Sequence, residues 1–272
     1  MKRSLIIAAI ALALTSCEKP YVGIPAADEK NVVLSFVLTG TRSTQPVEYV
    51  CSRLNVAIFK DGEKLKSIAQ TDASDDFGTV SVALGEGTYD VVAVAHNGQG
   101  TATITSEDKI TFANNKVTDT FVYCDQIEVG EDVTGAHCQM HRAVAMVRFE
   151  DVAVPDGTAQ LKFYYLGGSS TLSPSAGFGV VNSKQTELRD ASGKTYEIYT
   201  FPHSQSDVLT KITVTALDTE GETLDEAIIV DVPVRLNEVT EVHRPLFNGG
   251  TVAQNVLEFT CDPEWAGIIN YE

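Results

Sequence analysis

Basic residues are scarce in this chain. Its 272 residues include 20 Lys and Arg against 37 Asp and Glu, which gives a formal net charge of −17. Nucleic-acid binding relies on Lys and Arg that displace counterions from phosphates, so this balance excludes nucleic acid as a partner. Hydrophobic residues make up 43% of the chain and are spread along it, which supplies a sizeable core. The length suits one large or two ordinary domains, and we favour two.

The N-terminal apolar run is too short to span a bilayer. It extends from Leu5 to Leu14, whereas a membrane span needs about 20 residues. The run follows Lys2 and Arg3, as the hydrophobic region of a signal peptide does. It ends in Leu14-Thr15-Ser16-Cys17, which resembles a bacterial lipoprotein box. This pattern indicates export rather than membrane spanning.

The lipoprotein box predicts how the N-terminus is processed. Residues 1–16 would be removed as a signal peptide, and the Cys17 thiol would carry the lipid that attaches the protein to a membrane. Residues 17–30 contain Pro20, Gly23 and Pro25 and little periodicity, which favours a tether between the lipid and the folded body. An ordinary signal peptide followed by a chance cysteine is the alternative.

Cysteine is sparse in the rest of the chain. After Cys17 there are four, at Cys51, Cys124, Cys138 and Cys261. An even number in an exported chain is compatible with two disulfides, and pairing within each domain would join Cys51 to Cys124 and Cys138 to Cys261. Four buried free thiols are the alternative, because a chain with an adequate core does not need bridges.

Long stretches with a 3.6-residue apolar period are absent, whereas period-two alternation recurs. The turn pair Asp61-Gly62 predicts a hairpin between Phe59 and Leu65. The turn pair Glu220-Gly221 predicts another between Leu217 and Leu224. Many short strands separated by turn residues predict an all-β fold of antiparallel sandwiches. The predicted strands run from Asn31 to Leu38, Arg53 to Phe59, Thr79 to Leu84, Tyr89 to Ala95, Lys116 to Tyr123, Ala143 to Phe149, Gln160 to Tyr165, Tyr196 to Phe201, Lys211 to Leu217, Ala227 to Val232, Glu238 to Leu246 and Asn255 to Thr260.

The best domain boundary lies between Asp125 and Gly135, where Asp, Glu and Gly interrupt two strand-rich halves. We therefore expect an N-terminal β-sandwich over residues 31–130 and a C-terminal β-sandwich over residues 131–272. The segment from Gly167 to Gly179 is rich in Gly and Ser, which favours a long surface loop of the second domain.

No catalytic or metal-binding constellation is evident in the sequence. His137 and His141 lie on a predicted strand, where four residues span about 13 Å, too far for both rings to bind one metal ion. His96, His203 and His243 have no adjacent Cys or carboxylate cluster, which favours solvated surface positions. We therefore predict a non-enzymatic protein with no cofactor and no metal site.

Five segments, taken in their order along the chain, resemble the FimB-like fimbrial subunit and anchor lipoproteins of Bacteroidales. The likeness covers most of the mature chain, and the order of the segments carries it, since each motif alone is common. The segments are Cys17 with its box, Leu54 to Phe59 running into the Asp61-Gly62 turn, Gly87 to Ala95 followed by Asn97-Gly98, His141 to Val147, and Val239 to Phe247.

This resemblance implies a fold and a role. The fold is two transthyretin-like β-sandwich domains in tandem, and the protein is a lipid-anchored fimbrial subunit or anchor at the cell surface, on the outer membrane. Its partners are other fimbrial subunits, which assemble by strand addition, and a host or bacterial surface receptor or glycan is a further candidate partner. The alternative is a glycan-binding lipoprotein of a polysaccharide-uptake system, in which Trp265 or Tyr165 would stack on sugar rings.

The first predicted strand is the candidate element for strand addition. Val32, Leu34, Phe36 and Leu38 share one face of it, which suits an apolar strand that fills a sandwich. Arg42 follows in a short loop, and in the polymerising pilins of this family an Arg-specific protease removes the first strand. A shaft subunit would be cleaved after Arg42 and an anchor would keep the strand, while an ordinary first strand followed by a loop arginine is the simpler alternative. The segment from Asn255 to Thr260 would fill a neighbour's groove or complete its own domain.

Overall fold

The computed structural model describes residues 31–39, 44–132, 134–243, 245–247 and 265–271. These residues form twenty β-strands and two 3₁₀ turns, at Val47–Tyr49 and Ala113–Asn115, which confirms the all-β prediction. In chain order the strands are β1 (Val32–Thr39), β2 (Thr44–Pro46), β3 (Arg53–Lys60), β4 (Glu63–Thr71), β5 (Thr79–Val82), β6 (Gly87–His96), β7 (Thr103–Ser106), β8 (Lys109–Thr111), β9 (Thr120–Val129), β10 (Thr134–Arg142), β11 (Ala145–Phe149), β12 (Gln160–Leu166), β13 (Thr171–Ser173), β14 (Phe178–Gly179), β15 (Lys184–Asp190), β16 (Tyr196–Thr200), β17 (Ser206–Leu217), β18 (Thr223–Arg235), β19 (Glu238–Val242) and β20 (Gly267–Tyr271).

The N-terminal sandwich is one sheet folded over on itself. Its strand order is β2-β1-β10-β9-β6-β3-β4, with β5 also pairing with β1. The fold-over lies between β9 and β10, whose ladder has two residue pairs in the described chain, His141 with Val122 and Arg142 with Phe121. Apolar side chains from both layers enclose one core, in which Leu34, Leu54 and Val91 are each fully buried.

The C-terminal sandwich consists of two separate four-stranded sheets. Their orders are β16-β11-β19-β20 and β15-β12-β17-β18. Phe149 of the first sheet and Phe163 of the second are fully buried in the core between them, with ring centroids 5.3 Å apart. Most ladders are antiparallel as predicted, but β1 with β10, β11 with β19, and β19 with β20 are parallel.

A third core joins the two sandwiches. The hairpin β7-β8 of the N-terminal half pairs with the hairpin β13-β14 of the C-terminal half through Ile110 and Leu172. Phe59, Phe112 and Phe201 are buried in this junction core. Strands β3 and β6 are therefore covered on both faces, which explains why Leu54 to Phe59 and Val91 to Ala95 lack polar alternation.

The prediction of a surface loop from Gly167 to Gly179 is wrong. The segment contains β13 and β14, and its Ser169, Ser170 and Ser173 are buried. Small residues are required here for close packing, since a Cβ on Gly168 would collide with the Thr200 side chain. Glycine and serine therefore mark close approach of backbones in this segment rather than exposure.

The predicted hairpin turns are confirmed, whereas several strands were missed, β10 among them. Asp61 and Gly62 both have positive φ and connect β3 to β4, as a tight two-residue turn requires. Glu220-Gly221 lies in the turn between β17 and β18. Strand β10 falls after the predicted boundary at residue 130 and yet pairs with β1, so we propose a boundary after Arg142 instead.

Candidate functional site

The candidate site is β1 and the groove that it fills. Val32, Leu34, Phe36 and Leu38 alternate inward and are at most 3% exposed. One edge of β1 pairs in parallel with β10 over its whole length, and the other pairs with β5 and then with β2. The first strand of the described chain is thus an interior strand of its sheet.

The burial of β1 contributes much of the stability of the N-terminal sandwich. Each fully buried large apolar side chain stabilises by about 1.5–3 kcal/mol, so the four inward residues together contribute roughly 6–12 kcal/mol. That sum is comparable to the whole free energy of unfolding of an ordinary domain, about 5–15 kcal/mol. A sandwich that lost β1 would need another strand in the groove to remain folded.

Polar contacts fix the register of β1 at its start and centre. The Asn31 side chain donates to the Leu84 carbonyl at 2.7 Å and accepts from the Leu84 N–H at 2.9 Å. The Phe36 N–H donates to the Gly78 carbonyl at 2.9 Å. Since a shift by one residue would turn every inward side chain outward, these contacts specify one register.

The groove is lined by strand β10, which the sequence analysis missed. Cys138 and Met140 are fully buried and lie beside Phe36 and Leu38 in the ladder. His137, Gln139 and His141 alternate outward and are exposed, which rules out a shared buried site for the two histidines. The alternation of Ala136, Cys138 and Met140 with polar residues was the signal that could have identified this strand.

The junction beside this groove contains a buried ion pair. Arg142, at the end of β10, donates to both carboxylate oxygens of Asp119, at 2.8 and 3.0 Å. Its guanidinium lies 3.9 Å from the Trp265 ring centroid and 4.7 Å from that of Phe121. Asn237, in the turn before β19, accepts a further hydrogen bond from Arg142 at 3.3 Å. Arg142 therefore connects the N-terminal sandwich to the C-terminal one.

The structure has free thiols at Cys51, Cys124 and Cys138, so the predicted pairing of Cys51 with Cys124 is not made in it. The reason is geometric, because Cys51 belongs to the core of the N-terminal sandwich whereas Cys124 packs against the junction core. Burial raises the pKa of Cys124 to about 11 and that of Cys138 to about 11, which keeps both thiols protonated and unreactive at neutral pH.

The predictions for the histidines need correction. His96 is 1% exposed rather than solvated, and its Nδ1 accepts a hydrogen bond from the Gly98 N–H at 3.0 Å. Burial and the nearby charge of Arg53 lower its pKa to about 4, so His96 is neutral at pH 7. His203 lies 2.7 Å from Asp207, and His243 lies beside Glu241, so each has a carboxylate neighbour that the sequence analysis did not assign.

The aromatic residues considered for sugar stacking are buried. Trp265 is 6% exposed and Tyr165 is 1% exposed, so neither ring offers a face to a glycan. Trp265 instead packs beneath Arg142 in the junction.

Three predicted elements lie outside the described residues. They are Cys17 with its tether, Arg42 with the loop after β1, and Cys261 with the predicted strand from Asn255 to Thr260. Their roles stay predictions. In the part of the chain that is described, no helix has the length and hydrophobicity to cross a bilayer.

Comparison with known proteins gives the family. The family model "Fimbrillin-A associated anchor proteins Mfa1 and Mfa2" matches residues 16–232. No curated protein has a significant sequence match to the chain.

Solved structures that match the chain include the fimbrial anchor protein Mfa2 from Porphyromonas gingivalis, at 14% identity and a TM-score of 0.40, covering 73% of this chain and 82% of that one. A fimbrial assembly protein from Parabacteroides distasonis is 15% identical with a TM-score of 0.40, covering 73% of this chain and 85% of that one. The family model matches most of the chain. The chain therefore belongs to the family of fimbrillin-A associated anchor proteins Mfa1 and Mfa2, which places it among the fimbrial proteins of the cell surface.

Proposed function

We propose that this fimbrial protein is held on the outer membrane by a lipid on Cys17 and joins its neighbours by strand addition at the β1 groove. One observation carries the second part of the proposal. An interior strand of the N-terminal sheet is also the first strand of the described chain, so its place can be taken by another strand without cutting any other described connection. Main-chain hydrogen bonds would supply the affinity and the apolar pockets the selectivity.

Two states of the protein follow from this arrangement. An anchor keeps β1 in its own groove, and the lipid on Cys17 holds the fibre to the membrane. A shaft subunit loses residues up to Arg42 and accepts the strand of a neighbour. The family match to anchor proteins favours the first state.

The experiment is to recover the protein from the cell surface in unheated detergent and to determine its N-terminus and its co-migrating partners by mass spectrometry. An acylated Cys17 start within a ladder of fimbrial subunits supports the anchor. A Ser43 start within such a ladder supports the shaft subunit. A lone acylated monomer with no partner contradicts strand addition.

Matched variants separate the two parts of the proposal. Cys17→Ala should abolish labelling by palmitate and release the protein from the membrane, whereas Cys124→Ala should leave both unchanged because that thiol packs against the junction core. Arg42→Ala should prevent any Ser43 start, whereas Arg235→Ala changes an arginine whose side chain is 53% exposed and should prevent none.

A further inference from the structure

Three side chains able to bind a metal ion meet on the face of β11 and β19 that is opposite the C-terminal core, where these parallel strands end. The ladder pairs Arg148 with Glu241 and Phe149 with Val242, which brings Glu150 beside His243. Phe149 and Val242 point into the core, so Glu150, Glu241 and His243 share the opposite face. One ligand atom from each of these three residues lies within 4.8 Å of the others.

An unsatisfied buried oxygen points to a ligand at this place. Glu241 is 1% exposed, and its Oε2 has no hydrogen bond. Such an oxygen is costly to bury, because nothing replaces the water that it has lost. Nε2 of His243 lies 3.3 Å from Oε2 but without hydrogen-bond geometry. A separation of about 3.3 Å is what two ligand atoms adopt when each lies 2.0–2.1 Å from a tetrahedral zinc ion.

The local charges also suit a divalent cation. Arg148 contacts Glu197 at 3.0 Å and the other oxygen of Glu241, Oε1, at 3.4 Å. The carboxylates of Glu150 and Glu241 meet beside the imidazole of His243, which concentrates negative charge at the place where a cation would bind.

We propose that Glu150, Glu241 and His243 bind a divalent transition-metal ion of the zinc class. Each glutamate supplies one oxygen and His243 supplies Nε2, which leaves a fourth position for water. The imidazole favours zinc over calcium or magnesium, which prefer oxygen alone. The ion links the ends of β11 and β19 on the face opposite the core.

The test is a calorimetric titration with ZnCl₂ at pH 7 of the full mature chain, from which a chelator has first removed any bound metal. The wild type should bind one Zn²⁺ with micromolar affinity. His243→Ala and Glu150→Gln should each weaken binding at least about tenfold. Both side chains reach the surface, so the variants should keep the wild-type midpoint of urea unfolding in the absence of metal. His203→Ala, which removes a histidine paired with Asp207, is the matched control and should bind like the wild type.

Visible absorption of the Co²⁺-loaded chain gives a second readout, since a tetrahedral site with one nitrogen ligand should lose its band in His243→Ala. The proposal is overturned if the wild type binds no Zn²⁺ at millimolar concentration. It is also overturned if the two variants bind as the wild type does, which would mean that zinc binds to other surface histidines. Should His243→Ala unfold, Glu150→Gln decides the question.

Discussion

The two sandwiches of this chain close their cores differently. The N-terminal core is completed by β1, whose Val32 pairs with Thr134 from a distant part of the chain. The C-terminal core is held by the long hairpin of β17 and β18, two strands adjacent in sequence. Strand β1 comes first in the described chain, and its partners β10 and β5 are distant in sequence, so the proposed exchange would leave the remaining connections intact. The hairpin of β17 and β18 is continuous with the chain at both ends and cannot be exchanged in this way.

The two cores also differ in their buried polar groups. In the C-terminal sandwich the buried Tyr165 hydroxyl lies 3.2 Å from Glu187 Oε1, and Gln185 donates to it at 3.2 Å. The face of the N-terminal groove that receives β1 is apolar. An apolar groove accepts any extended apolar strand, whereas a polar network requires one arrangement of partners.

The largest effect is expected from removing the apolar face of β1. Leu34→Ala with Phe36→Ala should destabilise the N-terminal sandwich by about 5–10 kcal/mol, because both side chains leave cavities in a closed core. Val33→Ala with Val37→Ala, on the half-buried outer face of the same strand, should cost less than half as much. Urea unfolding followed by circular dichroism measures both, and equal losses would contradict the assignment of the inner face.

Breaking the link between the sandwiches should have the next largest effect. Arg142→Met leaves the partly buried carboxylate of Asp119 without its cation, so a loss of up to about 3–5 kcal/mol is expected. Arg235→Met, at a side chain that is 53% exposed, should change the stability by less than about 1 kcal/mol. Trp265 fluorescence reports the transition, because its ring lies under the guanidinium of Arg142. A double-mutant cycle with Asp119→Asn that shows no coupling would disprove the pairing.

Acid should lower the free energy of unfolding because His96 is buried in its neutral form. The unfolded chain protonates this imidazole near its ordinary pKa of 6.5, whereas the folded chain resists protonation down to about pH 4. The free energy of unfolding should therefore fall as the pH decreases from 6.5 to 4, by about 3 kcal/mol from this group. His96→Asn should remove that part of the slope, since its amide oxygen can still accept from the Gly98 N–H. Identical slopes in the two proteins would contradict the burial of His96.

The smallest effect tests the polar network of the C-terminal core. Tyr165→Phe should cost about 1–3 kcal/mol, because Glu187 and Gln185 each lose a buried partner. The neighbouring Tyr164 points to the other face and is half-buried, so Tyr164→Phe should change the stability by less than about 0.5 kcal/mol. Thermal unfolding of the two variants side by side gives the comparison, and an equal cost would mean that the network contributes nothing.

Local patterns predicted much of the N-terminal sandwich. The alternation from Asn31 to Leu38 gave β1 with its inward face, and Asp61-Gly62 gave the turn after β3. Such features depend on residues that are adjacent in the chain, so they can be read from the sequence alone. The groove could not be predicted without β10. This strand was missed because its polar outward residues alternate with the inward residues Ala136, Cys138 and Met140.

Features that depend on distant contacts could not be predicted. Gly168 and Ser169 lie in a segment that local composition assigns to a loop, and only the packing of Thr200 and Phe201 against it explains their size. Likewise, Glu241 and His243 share one face of a strand by simple alternation, but Glu150 joins them only because β11 and β19 pair in parallel.

The parallel ladder of β1 and β10 also has a mechanical meaning. A force applied on the N-terminal side of β1 acts along the strand and therefore loads all eight residue pairs of that ladder in shear. Hydrogen bonds sheared together must break together, whereas a hairpin pulled apart at its ends opens one pair at a time. A surface protein pulled through its N-terminus would thus resist tension at the same strand that we propose to be exchanged during assembly.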